Sequence, residues 1–198
     1  MSVKNWRKEN MLKRIPILLL AVFLIFLQEE SAAQTGKERL AVFDDRETPD
    51  DPDVLFYIHK DINPNCIVYT LNKGADGKID PKDPMQVFWR RYQEDGRKKK
   101  LGWLEKTFAF DFDVKKVKDK PNTYEFTIVA VKDRPFFFTQ DKHGNPFTLT
   151  RIDGKNARIE KIYLTVDDSK TMHKLLSAEL FGKDLKTGKL IYEKIVNK

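Results

Sequence analysis

From residue 54 onward the chain is cut into short runs of β-branched and aromatic residues: VLFYIHK (54–60), CIVYTLN (66–72), MQVFWRRY (85–92), TYEFTIVAV (123–131), FFFTQ (136–140), FTLTRI (147–152) and ARIEKIYLTV (157–166). A helix hides an apolar stripe sustained over several turns, whereas short runs rich in Val, Ile, Thr, Tyr and Phe suit strands with one face buried. The connections DINPN, KDRP, DKHGNP and DGKN hold residues that tolerate turn geometry. The tail SAELFGKDLKTGKLIYEKIV reads as another hairpin, because Thr187-Gly188 divides it and KLIYEKIV alternates like a half-exposed strand. KTMHKLL (170–176) is the best helix candidate, giving a short helix near the C-terminus. The expected fold is mainly β, an antiparallel meander of roughly eight to ten strands closed into a barrel or stacked as a sandwich to hide its edges.

Upstream the pattern changes. Lys13 and Arg14 precede the apolar run Ile15 to Leu27, followed by Ser31-Ala32-Ala33. A basic start, a short apolar stretch and small residues before Gln34 are the pattern of a secretory signal peptide over 1–33. A retained anchor is the alternative, although the run falls short of the ~20 apolar residues of a comfortable membrane span. Translation from Met1 or Met11 fits equally. Residues 34–52 are polar and acidic and read as a flexible lead-in, with a single β-rich domain over 53–198. The protein is therefore expected to be exported, periplasmic or extracellular, with no stable membrane span after cleavage.

Charge narrows the function classes. Without residues 1–33 the chain keeps 32 basic and 27 acidic residues, a net charge of +5. That suits weak attraction to anionic surfaces and lacks the density of a nucleic-acid binder, so no nucleic-acid partner is expected. The lone Cys66, inside an apolar run, reads as a small buried hydrophobe. His59, His143 and His173 lie at no metal-ligand spacing, and no cofactor is expected. NKGADGKIDPKD (72–83) imitates a calcium loop only weakly, since Gly74 and Asp83 stand where Asp/Asn and Glu belong, and it reads as an ordinary loop.

The stretch FWRRYQEDGRKKKLGW (88–103) is the most suggestive, with six basic side chains before Trp103. On a strand, Met85, Val87, Trp89 and Arg91 share one face, and Phe88, Arg90 and Tyr92 the other. If Trp89 points inward so does Arg91, and a buried guanidinium calls for an anionic partner. An edge position with Arg91 reaching water is the plain alternative. Arg97 to Lys100 reads first as an ordinary solvated hairpin tip, with affinity for anionic polymers or lipid head groups as the lesser alternative.

LFYIHKDINPNCIVYTLN and VFWRRYQEDG together resemble an uncharacterised exported bacterial family, domain-of-unknown-function family number 4833. The matching positions are Leu55 to Ile58, Asn63, Asn65, Val68, Tyr69, Trp89, Arg91, Tyr92 and Asp95-Gly96. The resemblance implies export and a domain from about Asp53 onward. It brings no activity, and it draws attention to Arg91 over Arg90.

The leading expectation is a non-enzymatic β-domain binding a small amphipathic or anionic ligand, with Trp89, Arg91, Tyr92, Tyr57 and Tyr69 as its ligand-binding residues. The alternative is a cell-envelope protein-interaction module that uses PFFFT (135–139) or an open sheet edge. A weak hydrolase is third and requires a cleft joining His59 to a carboxylate.

Overall fold

The computed structural model describes residues 34–41, 46–61, 63–131, 133–167 and 174–197. The signal-peptide reading of 1–33 lies outside these residues, as do Ser169 and His173. A helix, α1 (34–41), comes first, inside the segment expected as a lead-in. Strands β1 (Val54–Lys60), β2 (Cys66–Leu71), β3 (Met85–Arg91) and β4 (Arg97–Lys100) follow. One helical turn, α2 (Trp103–Glu105), runs into a wider π turn, Lys106–Phe110. The remaining strands are β5 (Phe112–Lys116), β6 (Tyr124–Ile128), β7 (Phe136–Gln140), β8 (Pro146–Ile152), β9 (Lys155–Asp167), β10 (Lys174–Asp184) and β11 (Leu190–Val196).

All eleven strands of the described residues belong to one curled sheet, ordered β4-β3-β2-β1-β9-β8-β7-β6-β5, with β10 and β11 branching from β9. The long β9 makes this possible. Its first half pairs with β8, its second half with β1, and its other edge with β10 throughout. The wings β4-β3-β2-β1 and β8-β7-β6-β5 thereby fold toward each other. Between them Phe56 stacks on Tyr69 at 4.5 Å and lies 5.9 Å from Phe136, while Phe126 and Phe136 lie 5.2 Å apart. These rings are buried, and their mutual contacts fill the space between the wings.

Several sequence expectations are met. VLFYIHK and CIVYTLN form a hairpin, and the tail folds back as β10–β11 through Gly188 at φ 67°. Others are corrected. The sheet is neither a closed barrel nor a sandwich of two separate sheets, but a half-barrel whose wings share β9. It is not a pure antiparallel meander either, since β1 pairs with β9 in parallel, Tyr57 opposite Lys161 and His59 opposite Tyr163. Strand alternation in a sequence carries no information on partner direction, and this partner is about a hundred residues away. The count exceeds the expected range because β4 and β5, the two ends of the main strand order, are strands. The helix candidate 170–176 is also corrected where it is described: 174–176 are strand, with Lys174 and Leu175 paired to Asp167 and Val166, so the ladder along β9 overrides local helix preference, while 170–173 lie outside the described residues.

Two backbone details fix the faces. A bulge between Val54 and Phe56 sends both Leu55 and Phe56 into the core, so Leu55 does not share the face of Tyr57 and His59 as simple alternation suggests. At Gly182 the backbones of β9 and β10 approach so closely that an added Cβ would lie 2.4 Å from the Arg158 carbonyl oxygen.

Candidate functional site

The five aromatic and basic residues expected to bind a ligand do not converge. Tyr69 is fully buried in the core and its hydroxyl donates to the Phe110 carbonyl at 2.8 Å. Trp89 is buried on the same inner face, its indole Nε1 donating to Glu105 Oε1 at 3.0 Å. Arg91, one strand step further, has passed the end of the core. Its Nε donates to Glu94 Oε1 at 3.0 Å, within the turn that its own carbonyl caps by accepting the N–H groups of Glu94 and Gly96. Tyr57 and Tyr92 sit on the outer face, against Cys66, Val68 and Phe88. Burial pushes both the Cys66 thiol and the Tyr92 phenol up to about 12, so neither ionises near neutrality.

The other matched turn residues are structural too. Asn63 Oδ1 accepts the Asn65 N–H, and buried Asn65 exchanges two bonds with Gln93, tying the first hairpin to the end of β3. In the loop 72–83, Asp76 and Asp80 accept the backbone N–H groups of Lys78 and Lys82, the turn chemistry of an ordinary loop. Phe136 and Phe138 are fully buried, and β7 lies between β6 and β8. Phe136 and Phe138 of PFFFT are therefore core, while Phe137 and Thr139 on the other face are half-buried.

The outer face that runs from the first wing across β9 and β10 holds buried polar groups: His59 on β1, Lys161 on β9, and Ser177 and Glu179 on β10. Parts of the leading segment cover it. Leu40 packs on the cluster of Tyr163, Phe181 and Tyr192, Arg39 binds Glu179 through Nε at 2.9 Å and Nη2 at 2.6 Å, and Arg46 lies 5.2 Å over the Tyr163 ring. Farther along, Asp51 meets Lys98 at 3.2 Å. Burial would raise the Glu179 carboxyl, but the bonds from Arg39 and Tyr192 more than offset it and its pKa is lowered. His59 is pushed down to about 4 by burial, then by Lys161 and Arg46. Neither ring nitrogen makes a hydrogen bond of normal geometry; the backbone of Glu47 approaches the ring, and no carboxylate of the described residues bonds it. His59 is thus held neutral.

The remaining concentration of chemistry lies where the opening stretch ends. Strand β4 forms one end of the main strand order, and all four of its residues are exposed. Arg97 is paired with Glu94, and Lys98 with Asp51 while lying 4.6 Å over the Phe88 ring. Lys99, Lys100 and Lys106 are exposed and form no ion pair among the described residues. Between them α2 protrudes, with Trp103 72% and Leu104 61% exposed. The turn is rigidly seated. Glu105 Oε2 accepts the Gly102 N–H at 2.6 Å, Oε1 accepts the Trp89 indole, and buried Leu101 and Phe110 anchor either side. A cationic strand edge and a fixed apolar knob therefore stand side by side. Sequence reasoning saw the cations but took Trp89 rather than Trp103 as the aromatic element; the Gly-Trp-Leu-Glu order, Glu three residues after Gly, was the available sign of a capped turn.

A family model described as a domain of unknown function (DUF4833) matches residues 56–194, and the chain belongs to that family. No curated protein and no solved structure matches it.

Proposed function

We propose that this member of the family is a binding domain for an anionic, amphipathic ligand, held at the corner formed by β4 and α2. Lys99, Lys100 and Lys106 meet the anionic group, while Trp103 and Leu104 contact the apolar part. The observation that carries this reading is the pairing of three lysines, without ion pairs among the described residues, with two protruding apolar side chains on a rigid turn. An exposed Trp and Leu beside unneutralised charge are unfavourable for a chain that only needs to be soluble, and favourable where a partner covers them. Trp89 and Arg91 then support the site, one by holding Glu105 and the other by fixing the β3–β4 turn through Glu94. The test is a fluorescence titration of the whole chain with monomeric dihexanoyl-phosphatidylglycerol. Saturable binding that is lost in Lys99→Ala/Lys100→Ala/Lys106→Ala supports the reading, and no binding by the wild type overturns it.

Export belongs to the same proposal, supported by the sequence pattern of residues 1–33. N-terminal sequencing of the chain recovered from the cell envelope or medium tests it, with Gln34 as the expected first residue. An interaction module is the second reading. It draws on β11, which among the described residues pairs with β10 alone and so has one strand edge without a partner strand there. A dimer or co-purifying protein lost when Ile191→Pro blocks that edge would favour it.

A further inference from the structure

We infer that the ligand at this corner is the surface of an anionic lipid bilayer, to which the domain docks peripherally with Trp103 and Leu104 inserted at the head-group level. This rests on the binding reading above and goes further by naming the partner.

Shape supplies the first argument. A site for a single small molecule is concave and buries most of its ligand. Here the apolar element is a knob, and the bonds of Glu105 to Gly102 and Trp89 hold it outward. The part of the indole left to solvent, 72% of Trp103, is covered most fully by something deformable and broad. Charge supplies the second. Of the ionic side chains from 97 to 106, five are basic and Glu105 alone is acidic, its carboxylate turned to Gly102 and Trp89. The lysines thus flank the knob on both sides in sequence, the arrangement in which apolar insertion and attraction to anionic head groups act together. Indole rings concentrate at membrane interfaces because one edge is apolar and the N–H can stay hydrated. Rigidity supplies the third: a turn fixed before contact loses little conformational freedom on docking.

The experiment measures co-sedimentation of the full chain with vesicles of phosphatidylcholine and phosphatidylglycerol at three to one, and with phosphatidylcholine alone. Wild type is compared with Trp103→Ala and with Lys99→Ala/Lys100→Ala/Lys106→Ala. Because the variants keep residues 1–33, any contribution of that segment cancels in the comparison. Circular dichroism and the emission of buried Trp89 confirm that each variant is folded. The expected result is binding to the anionic vesicles that weakens with salt and falls about fivefold per lysine removed, about a hundredfold for the triple variant. Trp103→Ala should lose at least tenfold and reduce the blue shift of emission on binding to the part that comes from Trp6 and Trp89. Equal vesicle binding by all three proteins, or none by the wild type, overturns the bilayer inference. If monomeric dihexanoyl-phosphatidylglycerol still binds the wild type in that case, the broader binding reading stands without it; if it does not, both fall.

Discussion

Strands β2 and β6 are each paired on both sides, yet all six side chains of β2 are buried while β6 alternates between buried and half-exposed. The difference is what covers the outer face. Behind β6 is solvent, as the half-exposed Glu125 and Thr127 indicate. Behind β2 lie the rings of Tyr57 and Tyr92, with Glu47, Asp50 and Asp51 beside them, and Arg39, Leu40 and Arg46 extend this cover over β9, β10 and β11. The second wing is a one-sided sheet held by its aromatic core; the first is a middle layer. A middle layer must either be apolar on both faces or satisfy what it buries, and this one does some of each: Glu179 is fully bonded, Cys66 is protonated, and His59 stays neutral.

The comparison can be broken at several points. Phe126→Ala removes a ring shared by both wings and should cost about 4 kcal/mol, read as the shift of a urea midpoint. A loss below about 1 kcal/mol would mean the wings do not depend on one stacked core.

Mild acid, between pH 6.5 and 5, should act on the first wing through His59. The pKa of His59 is depressed from about 6.5 to about 4, so the unfolded chain binds this proton more readily than the folded one. Its stabilising effect is fully present above pH 6.5 and is lost progressively as pH falls toward 4. Between pH 6.5 and 5, above the range where the carboxylates titrate, the loss should reach about 2 kcal/mol. Urea midpoints over that interval should flatten in His59→Phe; an unchanged slope would remove His59 from the account.

Arg39→Ala leaves the buried Glu179 carboxylate with Tyr192 and a distant Lys194, and should cost about 2 kcal/mol. Hydrogen exchange should quicken in residues 34–41 and along β10 and β11, but not in β6 to β8. Uniform quickening would show that the two wings do not differ in their covering. At the small end, Lys115→Ala on the second wing, where an exposed lysine meets Glu125 at 3.2 Å, should change stability by less than about 0.5 kcal/mol.

Much of this was legible in advance, and the exceptions have a common cause. Strands that bury a face announce themselves by alternation. The two that were missed, RKKK and FDVKK, are the ends of the main strand order, where a strand has one partner and charge discourages further pairing. The candidate residues failed to converge for a related reason. Alternation already separated Trp89 from Tyr92, and Glu94, three residues after Arg91, was a carboxylate within its reach; nothing local tells that the core ends between Trp89 and Arg91.

The β class, the hairpins turning at Asn63 and Gly188, the burial of Cys66 and the clustering of cations after β3 follow from neighbours within a few residues. Long-range pairing sets the rest: β1 lies beside β9, the leading segment covers the outer face across β9 to β11, Phe136 is core and Trp103 is surface. Those outcomes depend on which distant strand completes a ladder, and hydrophobicity, having no direction, does not specify its partner.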